Sequence, residues 1–194
     1  MKSETFELGC YYHIYNRGNN SENIFIEEKN YFYFLQLLKK YILPVADIYC
    51  YCLLKNHFHI VLKIKDKLPG NFESKIYLPF SNFFNSYTKS INKSYQRNGS
   101  LFQEHLKRIK VSDENYLKQL IIYVHLNPVK HQFTEDFKSY KNSSFLAYLS
   151  NSKTDLERNF ILELFGGKEN FLFSHVERQI KYEGVIEEID KMDW

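Results

Sequence analysis

Two long β-prone runs separated by only two residues constrain the fold more than any other feature of this sequence. Val45 to Leu54 and His57 to Ile64 are rich in β-branched and aromatic side chains, and only Lys55-Asn56 lies between them. Runs of this kind joined by so short a link predict an antiparallel hairpin. Asn tolerates a left-handed backbone, so Asn56 is the residue expected to close the turn. The hairpin must sit in a larger sheet, because two strands alone cannot bury an apolar face.

The flanking segments supply that sheet. Cys10 to Asn16 is a further β-prone stretch, ended by the turn-forming Arg17-Gly18-Asn19-Asn20. From Glu27 to Ile42 the residues Tyr31, Phe34, Leu35, Leu38 and Ile42 recur at helical spacing, and Pro44 stops the run. Lys65 to Tyr77 reads as a loop around Pro69-Gly70-Asn71. Pro79 to Ser94 is a second amphipathic helix, carrying Phe80, Phe83, Phe84, Tyr87 and Ile91 on one side. Leu101 to Val111 predicts a fourth strand, and Ser112-Asp113-Glu114 opens a third helix with Ser112 as its cap. That helix is expected to end at Asn127-Pro128, since proline interrupts the helical ladder.

The order β-α-β-β-α-β-α defines an α+β chain with a ferredoxin-like antiparallel sheet and helices on one face. A helical C-terminal extension, roughly Ser144 to Asp193, follows it. We therefore expect a main domain over residues 1–133 and an extension over 134–194.

Charge divides the chain in the same way. Residues 1–150 hold 20 Lys and Arg against 13 Asp and Glu, or +7; residues 151–194 hold 6 against 10, or −4, consistent with the net +3. A basic body with an acidic tail suits a polyanion-binding domain, although ordinary solvated surfaces fit the charge equally well. No apolar run reaches the ~18 residues of a membrane span, and the N-terminus has no secretion-signal pattern. The three cysteines, Cys10, Cys50 and Cys52, make no CxxC pair. They read as reduced, mostly buried thiols, and the expected location is the cytoplasm.

Two constellations can carry chemistry. In His57-Phe58-His59 the strand alternation turns both imidazoles to one face and Phe58 to the other. Two adjacent imidazoles can share a divalent cation, although an isolated His-X-His is more often a pair of unrelated polar positions. In Tyr123-Val124-His125-Leu126-Asn127-Pro128-Val129, helical spacing stacks Tyr123 and Asn127 on one side. A phenol and a carboxamide then project together; the plainer reading is a core-edge tyrosine with Asn127 as a C-terminal cap.

Together these motifs resemble the HUH single-tyrosine transposases. Leu54 to Leu62 is similar to the family's His-hydrophobic-His strand. Tyr123 to Val129 is similar to the Tyr-hydrophobic-X-X-Asn-Pro-Val pattern of the REP-associated tyrosine transposases. Tyr12 to Gly18 resembles that branch's opening strand, and Ser100-Leu101-Phe102-Gln103 its strand before the catalytic helix. The resemblance covers about residues 9–133, in order, and a set of ordered motifs is far more specific than one. Lys130-His131 departs from the Arg-Ala of relatives, a change expected to lie away from the chemistry. Leu164 to Glu169 resembles the tails of some relatives.

The resemblance implies a nuclease and transposase acting on single-stranded DNA with hairpin ends. His57 and His59 would hold Mg²⁺ or Mn²⁺, with Asn127 as third ligand at a position where the insertion-sequence branch has Gln. Tyr123 would be the nucleophile, forming a 5′-phosphotyrosine and a free 3′-hydroxyl; the base is left open among the metal, a water and His13. Arg17, Lys107, Arg108 and Lys110 are the expected DNA contacts. Relatives occur as homodimers with exchanged catalytic helices or as monomers, and both states stay open. The competing readings are a non-catalytic DNA- or RNA-binding module on the same fold and a phosphodiesterase that uses a metal-bound water.

Overall fold

In a computed structural model, which describes residues 5–70 and 72–182, the hairpin forms as the sequence predicts. Strands β2 (Ala46–Leu54) and β3 (His57–Ile64) pair antiparallel. With β1 (Tyr11–Arg17) and β4 (Lys107–Lys110) they make one sheet in the order β2-β3-β1-β4, antiparallel at every pair. Helix α1 (Glu28–Tyr41) joins β1 to β2, and α2 (Tyr77–Ser94) joins β3 to β4. This is the interleaved βαβ arrangement of the ferredoxin-like fold.

Alternation along the strands assigns the two faces. Tyr12, Ile14, Phe58, Ile60, Leu62 and Ile64 point into a core shared with Phe34 and Leu38 of α1 and Phe80, Phe83 and Tyr87 of α2. Phe34 packs edge-on against Phe83 and Tyr87, so ring geometry as well as area holds this layer.

The expectation of helices on one face holds for α1 and α2. Helix α3 (Glu114–Lys130) covers the opposite face instead, where Cys50, Cys52, Leu54 and Val61 meet its Leu117, Leu120, Ile121 and Val124. The physical reason is visible in β2, which sends Ala46, Ile48 and Leu53 to one side and Cys50, Cys52 and Leu54 to the other, so the sheet needs a cover on each. Helices α4 (Phe145–Leu149), α5 (Arg158–Leu164) and α6 (Lys168–Tyr182) complete that second layer through Phe145, Tyr148, Ile161 and Phe171. The part of the expected extension from 183 to 193 lies outside the described residues.

Four local expectations change. Asn56 does not take the left-handed backbone; the turn closes through its carbonyl, which accepts from the Gly18 amide at 2.8 Å. A Cβ at Gly18 would run into the Glu22 carbonyl, so only glycine allows this approach. The α3 cap is Asp113, whose carboxylate accepts from the Tyr116 amide at 2.9 Å, while Ser112 donates to Asp113. Pro128 lies inside α3, and the ladder resumes beyond it with the His131 amide donating to the Asn127 carbonyl. Finally, β4 is shorter than the run from 101 to 111. Phe102 makes a single bridge to Gly18, after which the chain leaves the sheet and His105 takes a positive φ of 62°. The two buried thiols, Cys50 and Cys52, and the half-buried Cys10 are free, as expected.

Candidate active site

The face covered by α3 carries the polar residues that the sheet cannot place elsewhere. In the β1–β3 register Tyr15 lies opposite His59 and Arg17 opposite His57, so alternation brings His13, Tyr15, Arg17, His57 and His59 to one side. Their neighbours Ile14, Phe58 and Ile60 turn into the other core.

Helix α3 lays Tyr123 and Asn127 across these imidazoles. The Asn127 Oδ1 is 3.4 Å from the His57 Nε2, and the Tyr123 ring stands edge-on to His59 at 5.8 Å between centroids. His13 is also edge-on to Tyr123, at 6.3 Å. The Lys130 ammonium lies 5.0 Å from the centre of the Tyr123 ring, one helical turn past Asn127's side of the helix. Thus His57, His59, Tyr123 and Asn127, from a strand and a helix far apart in sequence, are brought together by one chain.

Each imidazole is held at its other nitrogen. His57 Nδ1 lies 2.8 Å from the Asn56 Oδ1, and His59 Nδ1 lies 2.9 Å from the His13 Nε2. Asn56 Oδ1 can only accept, so His57 donates through Nδ1; in the neutral ring its Nε2 lone pair then faces Asn127. An imidazole fixed through one nitrogen with the other left for a ligand is the pattern of metal-binding histidines. His59 Nε2 and Asn127 Nδ2 are buried with no hydrogen-bond partner. Burial, and then the neighbouring His13, His57, His131 and Lys130, hold the His59 pKa well below the usual histidine value, which keeps it neutral.

These features fit a divalent cation between His57, His59 and Asn127. Two acceptors facing each other at 3.4 Å, beside a buried ring nitrogen without a partner, are satisfied by a positive charge. Turning the Asn127 amide over would let it donate to His57 and would leave its oxygen buried instead. Among the described residues no three His, Cys, Asp or Glu side chains are grouped to hold a metal, so the candidate set is two imidazoles and a carboxamide.

Access is uneven. A narrow cleft is lined by Arg17, His57, His59, Gln103, Lys107 and His131 among others. Tyr123 does not line it and is only 2% exposed; Asn127 is fully buried.

The expected DNA contacts divide. Arg17 and Lys107 line the cleft. Lys107 pairs with Tyr15 in the ladder, whereas Arg108 and Lys110 pair with Ile14 and Tyr12 and therefore point to the other side of the sheet. There the Arg108 guanidinium covers the Phe6 ring at 4.6 Å, and the Lys110 ammonium meets Glu7 at 2.8 Å. Period-two alternation makes this separation unavoidable for consecutive basic residues on a strand.

Three residues of the site escaped the sequence reading. Asn56 looked like a turn residue, and His13 was weighed as a base rather than as the partner of His59. His131 was expected to lie away from the chemistry, yet its ring is 4.6 Å from that of His57. The His at the fourth position after Asn127, on the same side of a helix, was the available signal.

No protein-family model matches the chain, and no curated protein matches it in sequence. Among solved structures, it is similar to a REP-associated tyrosine transposase bound to a REP hairpin. The TM-score is 0.61 at 12% identity, over 78% of this chain and 86% of that one. No helix of the described residues is long and apolar enough to cross a membrane. The chain therefore has the α+β fold of a REP-associated tyrosine transposase, the same group that its motifs resemble.

Proposed function

We propose that this chain is an HUH-type single-tyrosine transposase that cuts and rejoins single-stranded DNA. The observation that carries the reading is the convergence of Asn127 on His57 at 3.4 Å with the Tyr123 ring against His59, on a fold shared with a tyrosine transposase.

In this reading His57, His59 and Asn127 hold a divalent cation, Mg²⁺ or Mn²⁺, which when bound supplies charge neutralisation at the scissile phosphate. Tyr123 attacks phosphorus: a bond forms from its Oη to phosphorus, the bond from phosphorus to the 3′-oxygen breaks, and that oxygen leaves as a 3′-hydroxyl. The phenolic proton is lost in the attack, since a free tyrosine has a pKa of about 10. The phosphotyrosine ester retains the energy of the broken link, so a later hydroxyl can reverse the step. The Lys130 ammonium lies over the Tyr123 ring, 5.0 Å from its centre, and brings a positive charge beside the nucleophile. Tyr123 is 2% exposed, so its hydroxyl has to be uncovered before DNA reaches it.

Arg17 and Lys107 hold phosphates of the strand to be cut. Arg108 and Lys110 hold a more distant part of a hairpin that passes over β4, an edge strand of the sheet.

The burial of Tyr123 favours one other reading, a binding module that uses only the basic cleft. Labelled single-stranded hairpin DNA incubated with Mn²⁺ separates the two. Covalent protein–DNA adduct is expected from the native chain and lost in Tyr123→Phe, with hairpin binding retained. Binding without adduct in the native chain would leave the module; an activity that survives Tyr123→Phe would point to hydrolysis by water.

A further inference from the structure

Three imidazoles, rather than two, open on the cleft: His57, His59 and His131. His131 is the C-cap of α3, four residues after Asn127, so the helix carries both to the same side. Its ring centroid is 4.6 Å from that of His57 with the planes at 74°, and His57 is 5.3 Å from His59 at 87°.

Those spacings match shared coordination. A metal–nitrogen bond of about 2.1 Å puts the ion about 3.2 Å from a ring centre, so two imidazoles at 90–110° on one ion have centres roughly 4.5–5.2 Å apart. His131 therefore stands at the distance of a ligand neighbouring His57. No three such groups already converge among the described residues, so coordination by His131 requires its side chain to turn at the helix end.

We propose that His131 is a third imidazole ligand of the cation held by His57 and His59, and that it turns the site's preference from Mg²⁺ toward Mn²⁺, Co²⁺ and Zn²⁺. This rests on the metal reading above. Mg²⁺ seeks oxygen ligands and keeps its waters, whereas imidazole suits the later divalent ions. Each nitrogen added to the set widens that gap.

The test is calorimetric titration of the full chain with Mn²⁺, Zn²⁺ and Mg²⁺, supported by the visible absorption of bound Co²⁺. The expected result is at least a tenfold loss of Zn²⁺ and Mn²⁺ affinity in His131→Ala, little change for Mg²⁺, and an altered Co²⁺ spectrum. His131→Asn, which suits a helix end, serves where the alanine variant does not fold. Equal affinities for every ion in both variants overturn the proposal. His57→Ala and His59→Ala keep the two readings apart. If they abolish binding while His131 variants do not, only the third ligand falls; if they too leave binding unchanged, the metal reading itself falls.

Discussion

The Nε2 of His13 lies 2.9 Å from the Nδ1 of His59, and both rings are buried. One of these nitrogens must donate to the other. When His59 donates, its Nε2 presents a lone pair to the space shared with His57 and Asn127. His13 thus decides which tautomer the candidate ligand adopts, a different task from proton abstraction.

Replacing His13 should therefore act on the metal before it acts on DNA. His13→Phe keeps a ring in the β1–β3 layer but accepts no hydrogen bond. Metal affinity and adduct yield should fall about 10–100-fold, the usual effect of losing an outer partner, with hairpin binding unchanged. Titration calorimetry and a filter-binding assay on the same preparation check it. A full adduct yield would remove His13 from the site.

The α3 cap gives a stability prediction with a built-in control. Asp113→Ala removes the acceptor for the Tyr116 amide and a negative charge at the positive end of the helix, and should lower the urea midpoint. Ser112→Ala removes only a donor to Asp113 and should cost less. Urea midpoints at constant m-value measure both. The carboxylate lies below its usual pKa, first through Ser112 and then the Tyr116 amide. Its contribution is therefore present above the ordinary carboxylate range and is lost as pH falls through the lowered value.

Most of the element order was legible because it depends on patterns the chain carries locally. The period-two run in β3 and the period-3.6 runs in α1 and α2 each declare their own face. What stayed hidden depends on distance. The nearest sign in the sequence that α3 crosses the face opposite to α1 and α2 is the two-sided apolarity of Val45 to Leu54, which strand propensity alone does not use. The candidate site behaves similarly. His57 with His59, and Tyr123 with Asn127, show in short spacing. His13 and His131 join them only through a strand register and a helix end, which no window of sequence contains. The split of Arg17 and Lys107 from Arg108 and Lys110 was within reach, since alternation on β4 requires it.

Stability should fall in mild acid because of a buried histidine pair on α3 and α6. His175 Nδ1 donates to the Phe171 carbonyl at 2.7 Å, so its Nε2 accepts from His125 Nδ1 at 2.9 Å. His125 Nε2 then accepts from the Ser144 hydroxyl at 2.8 Å. Every ring nitrogen is used in the neutral form. Burial holds His175 down at about 4 and His125 well below the histidine range. Below pH about 6.5 the unfolded chain takes up protons that the folded chain refuses, so stability is complete above 6.5 and drains away toward 4. The His175 shift alone amounts to about 3 kcal/mol. Thermal melts from pH 7.5 to 4.5 should show the loss, and His175→Gln, which accepts from His125 without titrating, should flatten it.

Salt dependence can separate the two groups of basic residues. Lys107 lines the cleft, while Lys110 sits on the other side of the same strand, paired with Glu7 at 2.8 Å. A contact to single-stranded phosphate contributes about 0.7 to the slope of log affinity against log salt, and one to duplex phosphate about 0.9. Lys107→Ala should reduce the slope by about 0.7 for a short single-stranded oligonucleotide and for a hairpin alike. Lys110→Ala should leave the oligonucleotide slope unchanged and reduce only the hairpin's. Its exposed pair with Glu7 adds little stability, so the variant should fold normally. Fluorescence anisotropy across a salt series reads both. Equal effects of the two substitutions on the oligonucleotide would mean that the single strand, and not the hairpin stem, crosses the β4 edge.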